Sequence, residues 1–280
     1  MAHDELLQEC DYEHEAECTT RFKRNLAPFP EFAVPAVVPS LSSARVLTTE
    51  WMPGQALDRA AAEAAAVPQA ERDRIGARLL WLSLAELFEF RFMQTDPNWS
   101  NFLYEPRTTQ ISLIDFGACQ PYEPSFVDEY LRLVRACADG ESQRAAILHH
   151  SHRLGFLTGG ESREMLDAHV RAAALVGSPF GDGVQPYDFG NQAISRAISA
   201  DVATMVRHRL TPPRREIYAL HRRLNGCFQL AARVGATISA RAILLQLHDA
   251  HEWSANGDEG LAPPMPPGSR FGLEPGPASR

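Results

Sequence analysis

The chain has 280 residues, of which 45% are hydrophobic and 22% charged, and its formal net charge is −8. This apolar share is enough to bury a core in one large domain or two small ones, which excludes a largely disordered chain. The acidic balance argues against a dedicated nucleic-acid-binding protein. No apolar run is long enough to span a bilayer, because Pro35 and Pro39 interrupt the longest uncharged stretch. The five cysteines form no C-x-x-C pair, which is typical of a reducing compartment.

The first third of the chain predicts helices and one strand. An amphipathic helix is expected over residues 4–27, followed by a β-branched strand over residues 45–52. Asp58 is expected to cap an alanine-rich helix that runs to Ala66. A second long helix, over residues 71–92, is apolar on most of its faces, so we expect it to be buried.

The rest of the chain predicts a loop, a β-hairpin and then helices. The loop covers residues 93–101, and the two hairpin strands cover residues 102–104 and 111–114. Beyond Ser125 the apolar pattern is helical to about Trp253. The sequence therefore predicts a chain in which a few short strands precede a mainly helical region.

The chemistry is concentrated in the loop and just after the hairpin. Asp96 and Asn101 follow the pattern D-x-x-x-x-N, and the hairpin ends in Asp115-Phe116-Gly117. In protein kinases this spacing belongs to the catalytic loop, whose Asp serves the nucleophile while its Asn and the D-F-G Asp hold Mg²⁺. A hairpin between the two motifs returns both sets of side chains to one edge. We therefore predict a phosphoryl-transfer site built from these residues.

A second D-F-G sequence occurs at Asp188-Phe189-Gly190. No D-x-x-x-x-N pattern and no predicted strand precede this copy, so its context does not support a metal-binding role. We expect it to be a structural turn.

Two further groups of residues are candidate sites. His149, His150 and His152 lie on a predicted helix, but only two share a face and no cysteine or carboxylate nearby in the sequence completes a metal-binding set. A basic group is expected to form a solvated face or, less often, to meet anionic lipid head groups. Its members are Arg207, His208, Arg209, Arg214, Arg215, Arg222 and Arg223.

The string from Phe90 to Phe102 closely resembles the catalytic loop of the UbiB-type, aarF-domain-containing atypical kinases that support coenzyme Q biosynthesis. Their eukaryotic mitochondrial branch is the nearest likeness. Residues 9–16 resemble the family's Glu-x-Asp helix segment, and residues 46–54 resemble its hinge strand. The resemblance implies binding of ATP and Mg²⁺, with Asp96 catalytic and Asn101 and Asp115 as metal ligands. It also assigns five residues to cofactor binding: Glu9, Asp11, Glu15, Glu50 and Met52.

The fold implied by this resemblance is α+β and protein-kinase-like. Residues 1–52 are expected to form a short remnant of the small lobe, and residues 53–253 the helical large lobe. Residues 254–280 carry many prolines and glycines and are expected to be a disordered tail. The region from Gly117 to Ser125 is too short for a peptide-binding platform, which disfavours a protein substrate.

The sequence also departs from the family. It contains no glycine-rich phosphate loop and no strand lysine, so Glu15 is expected to lack its lysine partner. These departures predict an N-terminally truncated chain that by itself hydrolyses ATP weakly or not at all. The expected function is an atypical kinase-like ATPase; the alternatives are a catalytically inactive helical binding module and a small-molecule phosphotransferase.

The resemblance finally implies a location and partners. The family places the protein in mitochondria, on the matrix face of the inner membrane, although the first residues show no targeting segment. Quinone-biosynthesis proteins and anionic membrane lipids are the expected partners besides ATP, with no nucleic acid and no transmembrane span.

Overall fold

The computed structural model describes residues 10–62, 67–96, 98–191, 205, 207–212, 214–255 and 261. The helices are α1 Tyr12–Leu26, α2 Leu57–Ala62, α3 Gln69–Phe88, α4 Pro124–Ala138, α5 Arg144–Arg153, α6 Arg163–Gly177, α7 Arg215–Val234 and α8 Ala240–Ala250. The strands are β1 Phe32–Ala33, β2 Gln55–Ala56, β3 Phe92–Gln94, β4 Phe102–Glu105, β5 Gln110–Leu113, β6 Cys119–Pro121, β7 Tyr187–Asp188 and β8 Thr237–Ile238. These long helices and short strands agree with the predicted α+β fold class. Among the described residues, no helix is both long and apolar enough to cross a membrane.

The chain forms two compact units. The first contains the residues up to Pro121 together with residues 188–190 and 219–238. The second contains residues 122–187 and 191–218 and the chain from Ser239 onwards. Every residue predicted for the phosphoryl-transfer site belongs to the first unit. The predicted domain boundaries at residues 52 and 253 stay predictions.

The first unit contains a four-stranded sheet in the order β1-β5-β4-β2. Its centre is the predicted hairpin, in which β4 and β5 pair antiparallel with Phe102 opposite Leu113. β1 joins the β5 edge in parallel, and β2 joins the β4 edge antiparallel. A separate antiparallel pair, β3 with β6, places Gln94 opposite Cys119. The predicted loop over residues 93–101 is therefore partly strand, and it runs from β3 to β4.

Helix α1 is shorter than the predicted helix over residues 4–27. It begins at Tyr12, because the Asp11 carboxylate accepts a hydrogen bond from the backbone N–H of His14 at 3.0 Å and caps the first turn. Residues 4–9 lie outside the described residues. The helix ends at Leu26, before Pro28, as the sequence predicts.

The predicted helix over residues 71–92 is displaced towards the N-terminus. Helix α3 covers Gln69–Phe88, and Arg91 has a positive φ of 48°, which a helix cannot continue through. Phe92 therefore starts β3 instead of ending the helix. The predicted burial of this helix is confirmed: its buried leucines are Leu79, Leu80, Leu82, Leu84 and Leu87.

Two other local predictions are wrong. Residues 45–52 form no continuous strand but two isolated bridges, Val37 with Thr49 and Ser43 with Val46. The neighbouring segment carries Pro35 and Pro39, which lack a backbone N–H and so cannot extend a ladder. Asp58 is not the cap of α2, because the helix already begins at Leu57. The predicted end of that helix, residues 63–66, lies outside the described residues.

The start of the predicted tail is anchored within the second unit. Ser254 donates its backbone N–H and its hydroxyl to Asp128 Oδ2, at 2.9 and 2.6 Å. The buried His251 ring lies 2.7 Å from Asp128 Oδ1. The hydroxyl, the N–H and the imidazole outweigh the desolvation of Asp128, so the pKa of this carboxyl is lowered. Apart from residues 254, 255 and 261, the tail lies outside the described residues.

A buried ion pair joins helices α3 and α7 within the first unit. Arg223 Nη2 on α7 is 3.0 Å from Glu86 Oε1 on α3, and the two residues are 3% and 0% exposed. Arg223 was predicted to lie on a solvated basic face, and this prediction is wrong. Burial raises the pKa of the Glu86 carboxyl, while the Arg223 guanidinium opposes this shift by stabilising the carboxylate.

We expect Arg223→Met to lower the free energy of unfolding by about 3–5 kcal/mol, because it leaves the Glu86 carboxyl buried without its partner. Urea denaturation measures this loss, and Arg59→Met, at an exposed position of α2, should change stability by less than about 0.5 kcal/mol. In the folded variant, the buried Glu86 side chain favours its protonated form. The deficit in the free energy of unfolding, relative to the unmodified protein, should therefore grow as pH rises from about 5 to about 8. A deficit independent of pH would contradict this assignment.

Candidate active site

The loop between β3 and β4 brings Asp96 and Asn101 into direct contact. Asn101 Nδ2 donates to Asp96 Oδ2 at 2.7 Å, and the backbone N–H of Asn98 donates to Asp96 Oδ1 at 3.3 Å. Trp99–Asn101 form a short 3₁₀ turn, capped by the Asn98 side chain, which accepts from the backbone N–H of Ser100 at 3.1 Å. The D-x-x-x-x-N spacing therefore folds into one small loop in which both predicted side chains meet.

Backbone hydrogen bonds tie this loop to the segment that carries Asp115. The N–H and the hydroxyl of Thr95 both donate to the carbonyl of Ala118, at 3.0 and 2.7 Å. At the other end of the loop, the N–H of Ile114 donates to the carbonyl of Asn101 at 3.1 Å. Each end of the loop is thus fixed to one end of the segment from Ile114 to Ala118, which brings Asp115 beside Asp96 and Asn101.

Asp115 is half-buried, and its neighbours are fixed by helix α1. Asp115 Oδ1 accepts from the backbone N–H of Gly117 at 3.1 Å. The Phe116 ring is 1% exposed and packs against Phe22 on α1, with ring centroids 5.0 Å apart. The backbone N–H of Phe116 donates to Glu15 Oε1, at 3.4 Å. Glu15, expected to lack its lysine partner, therefore has a backbone partner next to Asp115.

The electrostatics around Glu15, Asp115 and Asn101 suit a cation. Burial raises the pKa of the Glu15 carboxyl, the Phe116 N–H lowers it, and the nearby charge of Asp115 raises it again. The Asp115 carboxylate and the amide oxygen of Asn101 are hard oxygen donors of the kind that Mg²⁺ prefers. Because the Asn101 amide nitrogen is the group that bonds to Asp96, the amide oxygen is left for another partner. The donor set thus fits Mg²⁺.

The other residues assigned to cofactor binding lie in several places. Glu50 accepts the backbone N–H of Ala36 at 2.7 Å and lies 3.4 Å from Lys23 Nζ; these contacts, the backbone one most, lower the pKa of its exposed carboxyl. Met52 is half-buried in the same extended segment. Asp11 is exposed at the start of α1, where it serves as the helix cap. Glu9 lies outside the described residues.

A groove of about 750 Å³ runs along α1. It is lined by Tyr12, Glu13, Ala16, Glu17, Thr20, Arg21, Lys23 and Arg24 and by Ala36, Val37, Pro39, Ser42 and Ser43. None of Asp96, Asn101 and Asp115 lines it, so this groove is separate from the predicted site.

The second D-F-G copy forms a turn within the first unit. Asp188 Oδ1 accepts from the N–H of Gly190 at 2.9 Å, as Asp115 does from Gly117. Phe189 is buried, and its N–H donates to the carbonyl of Ala236 at 3.0 Å. Both copies therefore share one local turn, and only the copy at Asp115 is fixed beside the loop that carries Asp96 and Asn101.

The histidine group on α5 includes a carboxylate that the sequence analysis missed. Glu129, on α4, lies 2.9 Å from His150 Nδ1, and the ligand atoms of Glu129, His149 and His150 all lie within 4.8 Å of one another. Arg132 and Arg153 also contact this carboxylate, at 3.3 and 3.5 Å. These cations already compensate its charge, and the contacts lower the pKa of the carboxyl despite its burial.

Helix α7 supports the loop through contacts that no sequence motif predicts. Trp99 donates its indole N–H to the carbonyl of Gly226 at 3.2 Å, and the Arg233 guanidinium lies over the Trp99 ring at 5.8 Å. In each of these contacts the two residues are more than a hundred positions apart in the sequence. The only sequence signal is the amphipathic pattern of α7, which predicts a buried face but not its partner.

The chain is similar to several curated proteins. It is 44% identical over 248 residues to the mitochondrial atypical kinase COQ8B of Danio rerio, covering 89% of this chain and 39% of that protein. It is 41% identical to the mitochondrial atypical kinase coq-8 of Caenorhabditis elegans, covering 93% and 34%. Against the mitochondrial atypical kinase COQ8 of Saccharomyces cerevisiae the identity is 37%, covering 88% and 48%. The chain thus spans about two fifths of the length of the curated relatives it matches.

A solved structure shares the fold. The complex structure of Rv3197 with erythromycin, from Mycobacterium tuberculosis, superposes with a TM-score of 0.67 at 21% identity, covering 86% of this chain and 58% of that one. Residues 1–149, more than half of the chain, match the ABC1 atypical kinase-like domain. The kinase-like fold and the resemblance inferred from the loop sequence are thereby confirmed: the chain belongs to the ABC1, or UbiB, family of atypical kinases.

Proposed function

We propose that this chain contributes the Mg²⁺-binding and catalytic residues of an atypical kinase-like ATPase that supports coenzyme Q biosynthesis. The observation that carries the proposal is the convergence of Asp96, Asn101 and Asp115, which hydrogen bonds at both ends of one loop bring together. The relatives named as COQ8 atypical kinases support the role in coenzyme Q biosynthesis and the mitochondrial location. The matrix face of the inner membrane is part of the same proposal.

The roles follow from the contacts of each side chain. The Asp115 carboxylate and the Asn101 amide oxygen hold Mg²⁺, which when bound neutralises phosphate charge. Asp115 contributes more to this binding because its carboxylate carries a formal charge. The interaction between Asp96 and Asn101 keeps the amide oriented with its oxygen free for the metal.

Asp96 orients the attacking hydroxyl group. Its Oδ2 is used by Asn101, whereas its Oδ1 makes only a long contact of 3.3 Å with the N–H of Asn98. Oδ1 therefore accepts the proton of the attacking water or alcohol, as in general base catalysis. Asp96 is half-buried, so the nucleophile reaches this oxygen from solvent.

A small acceptor is the second candidate. Only six residues separate Gly117 from the start of α4 at Pro124, and three of these form β6. This segment offers no extended platform for a peptide, which favours either water or a small alcohol as the acceptor. Phosphate release measured beside transfer of labelled phosphate to small metabolites distinguishes an ATPase from a small-molecule phosphotransferase.

We further propose quinone-biosynthesis proteins and anionic lipid head groups as partners.

Asp115→Asn should weaken Mg²⁺-dependent nucleotide binding by about tenfold or more, because it removes the charged metal ligand. The measurement is a titration of the chain with a fluorescent ATP analogue and Mg²⁺, with Mn²⁺ electron paramagnetic resonance as a direct probe of the metal. Asp188→Asn is the matched control, since it removes the same capping carboxylate from the second D-F-G turn. Equal losses in both variants, or no Mg²⁺-dependent binding by the unmodified chain, would favour the inactive binding module.

In a chain completed with the phosphate loop and strand lysine of a family member, Asp96→Asn should lower ATP turnover by about 10²–10⁴-fold, the usual contribution of general base catalysis. Nucleotide affinity should change by less than about twofold, because Asp96 is not a metal ligand in this proposal. Single-turnover hydrolysis of labelled ATP and the same binding titration measure the two quantities. Asp58→Asn, an exposed change on α2, is the control. If affinity fell as far as turnover, Asp96 would have to be reassigned as a metal ligand.

A further inference from the structure

Two cysteines from distant parts of the chain meet beside the candidate active site. Cys18 lies on α1, one helical turn after Glu15, and Cys119 is the first residue of β6, four positions after Asp115. The two residues are 3% and 2% exposed. A thiol–thiol hydrogen bond joins the two side chains.

The environment makes the two thiols chemically unequal. The Cys119 S–H donates to the sulfur of Cys18, which lowers the pKa of Cys18. Burial, together with this bond, raises the pKa of Cys119 well above its ordinary value. His14 Nε2 lies 3.4 Å from Cys18 Sγ, one turn earlier on the same helix, and its ring is half-buried. Cys18 is therefore the thiol with a proton acceptor within reach, and Cys119 is the donor to it.

We propose that Cys18 and Cys119 are a redox-active pair that closes to a reversible disulfide when the protein meets a peroxide. In the first step His14 accepts the proton of Cys18, and the thiolate attacks one oxygen of hydrogen peroxide. The O–O bond breaks, Cys18 becomes a sulfenic acid, and the released hydroxide takes up a proton to form water. In the second step the Cys119 thiol attacks the sulfur of Cys18: the S–S bond forms, the S–O bond breaks, and the leaving hydroxide takes the Cys119 thiol proton to become a second water. Both thiols are oxidised and one peroxide is reduced.

The other cysteines are less suited to this chemistry. Burial raises the pKa of Cys137 to about 12 and that of Cys227 to about 11, so neither forms a thiolate readily. Cys10 is exposed, but it lies at the start of the described N-terminal segment, before helix α1. Among the described cysteines, Cys18 and Cys119 thus combine thiol contact, a nearby imidazole and a lowered pKa on one partner.

Because Cys18 and Cys119 lie beside the candidate active site, forming the disulfide should affect that site. Closing the bond requires the sulfur atoms to approach to about 2.05 Å. This tightening joins α1 to the segment after Asp115, where Glu15 already bonds to the N–H of Phe116. Oxidation therefore changes the placement of Asp115 relative to the loop. This effect on Mg²⁺–nucleotide binding rests on the proposed function, whereas formation of the disulfide does not.

The test uses the 280-residue chain with Cys10→Ser, which prevents exchange between molecules. After treatment with one equivalent of hydrogen peroxide and alkylation, peptide mass spectrometry should find Cys18 linked to Cys119, and dithiothreitol should reverse the link. Cys137→Ser and Cys227→Ser should leave the link unchanged. His14→Gln should slow its formation by about tenfold, because the proton acceptor is lost, without preventing it. Cys18 and Cys119 recovered as free thiols, or as separately overoxidised residues, would overturn the proposal.

A second measurement separates this inference from the proposed function. Mg²⁺-dependent binding of the fluorescent nucleotide is compared in the reduced and oxidised protein and in the oxidised Cys119→Ser control. A change of about threefold or more in the disulfide form only, reversed by dithiothreitol, is expected. A mapped disulfide with unchanged nucleotide affinity would overturn the coupling to the site. A protein that forms the disulfide but binds no nucleotide would overturn the proposed function and leave the redox pair intact.

Discussion

The ion pair between Glu86 and Arg223 supports both ends of the candidate catalytic loop. The backbone N–H of Gln94, just before the loop, donates to the Glu86 carboxylate, and the Arg223 guanidinium lies 4.9 Å over the ring of Phe102, just after it. Because both charges are buried, neither can be lost alone without a large desolvation cost. The position of Asp96 and Asn101 thus depends on two helices, α3 and α7, that carry no motif themselves.

Helix α1 fixes the other half of the site. The Phe22 ring contacts both Phe116 and Phe92, at 5.0 and 5.4 Å, so one aromatic cluster joins the helix to the strand before the loop and to the D-F-G turn. Glu15 adds a hydrogen bond to the same turn. A movement of α1 would therefore shift the D-F-G turn, so contacts between α1 and β6 are well placed to affect the proposed metal ligands.

The two D-F-G turns show why local sequence is not enough to define a site. Asp115 and Asp188 make the same bond to the glycine two positions later. They differ in surroundings. The segment around Asp115 bonds to Thr95 and Asn101 of the loop and to Glu15 of α1, whereas Phe189 bonds to Ala236. The chemistry of a carboxylate depends on which other polar groups it faces, and this is a property of the tertiary structure.

The sequence by itself determined the hairpin, the buried helix α3 and the family, because alternating apolar residues, helical periodicity and the catalytic-loop string are local signals. It misplaced the start of α1, the ends of α3 and the strand at residues 45–52, where a capping carboxylate, a positive φ and nearby prolines decide the outcome. Only the tertiary structure decided that Arg223 is buried against Glu86, that Glu129 joins the histidines of α5 and that Cys18 meets Cys119. Glu129 and His150 are 21 residues apart in the sequence, and Glu86 and Arg223 are 137 residues apart. The periodicity of apolar residues within one helix or strand does not specify which distant element it will contact.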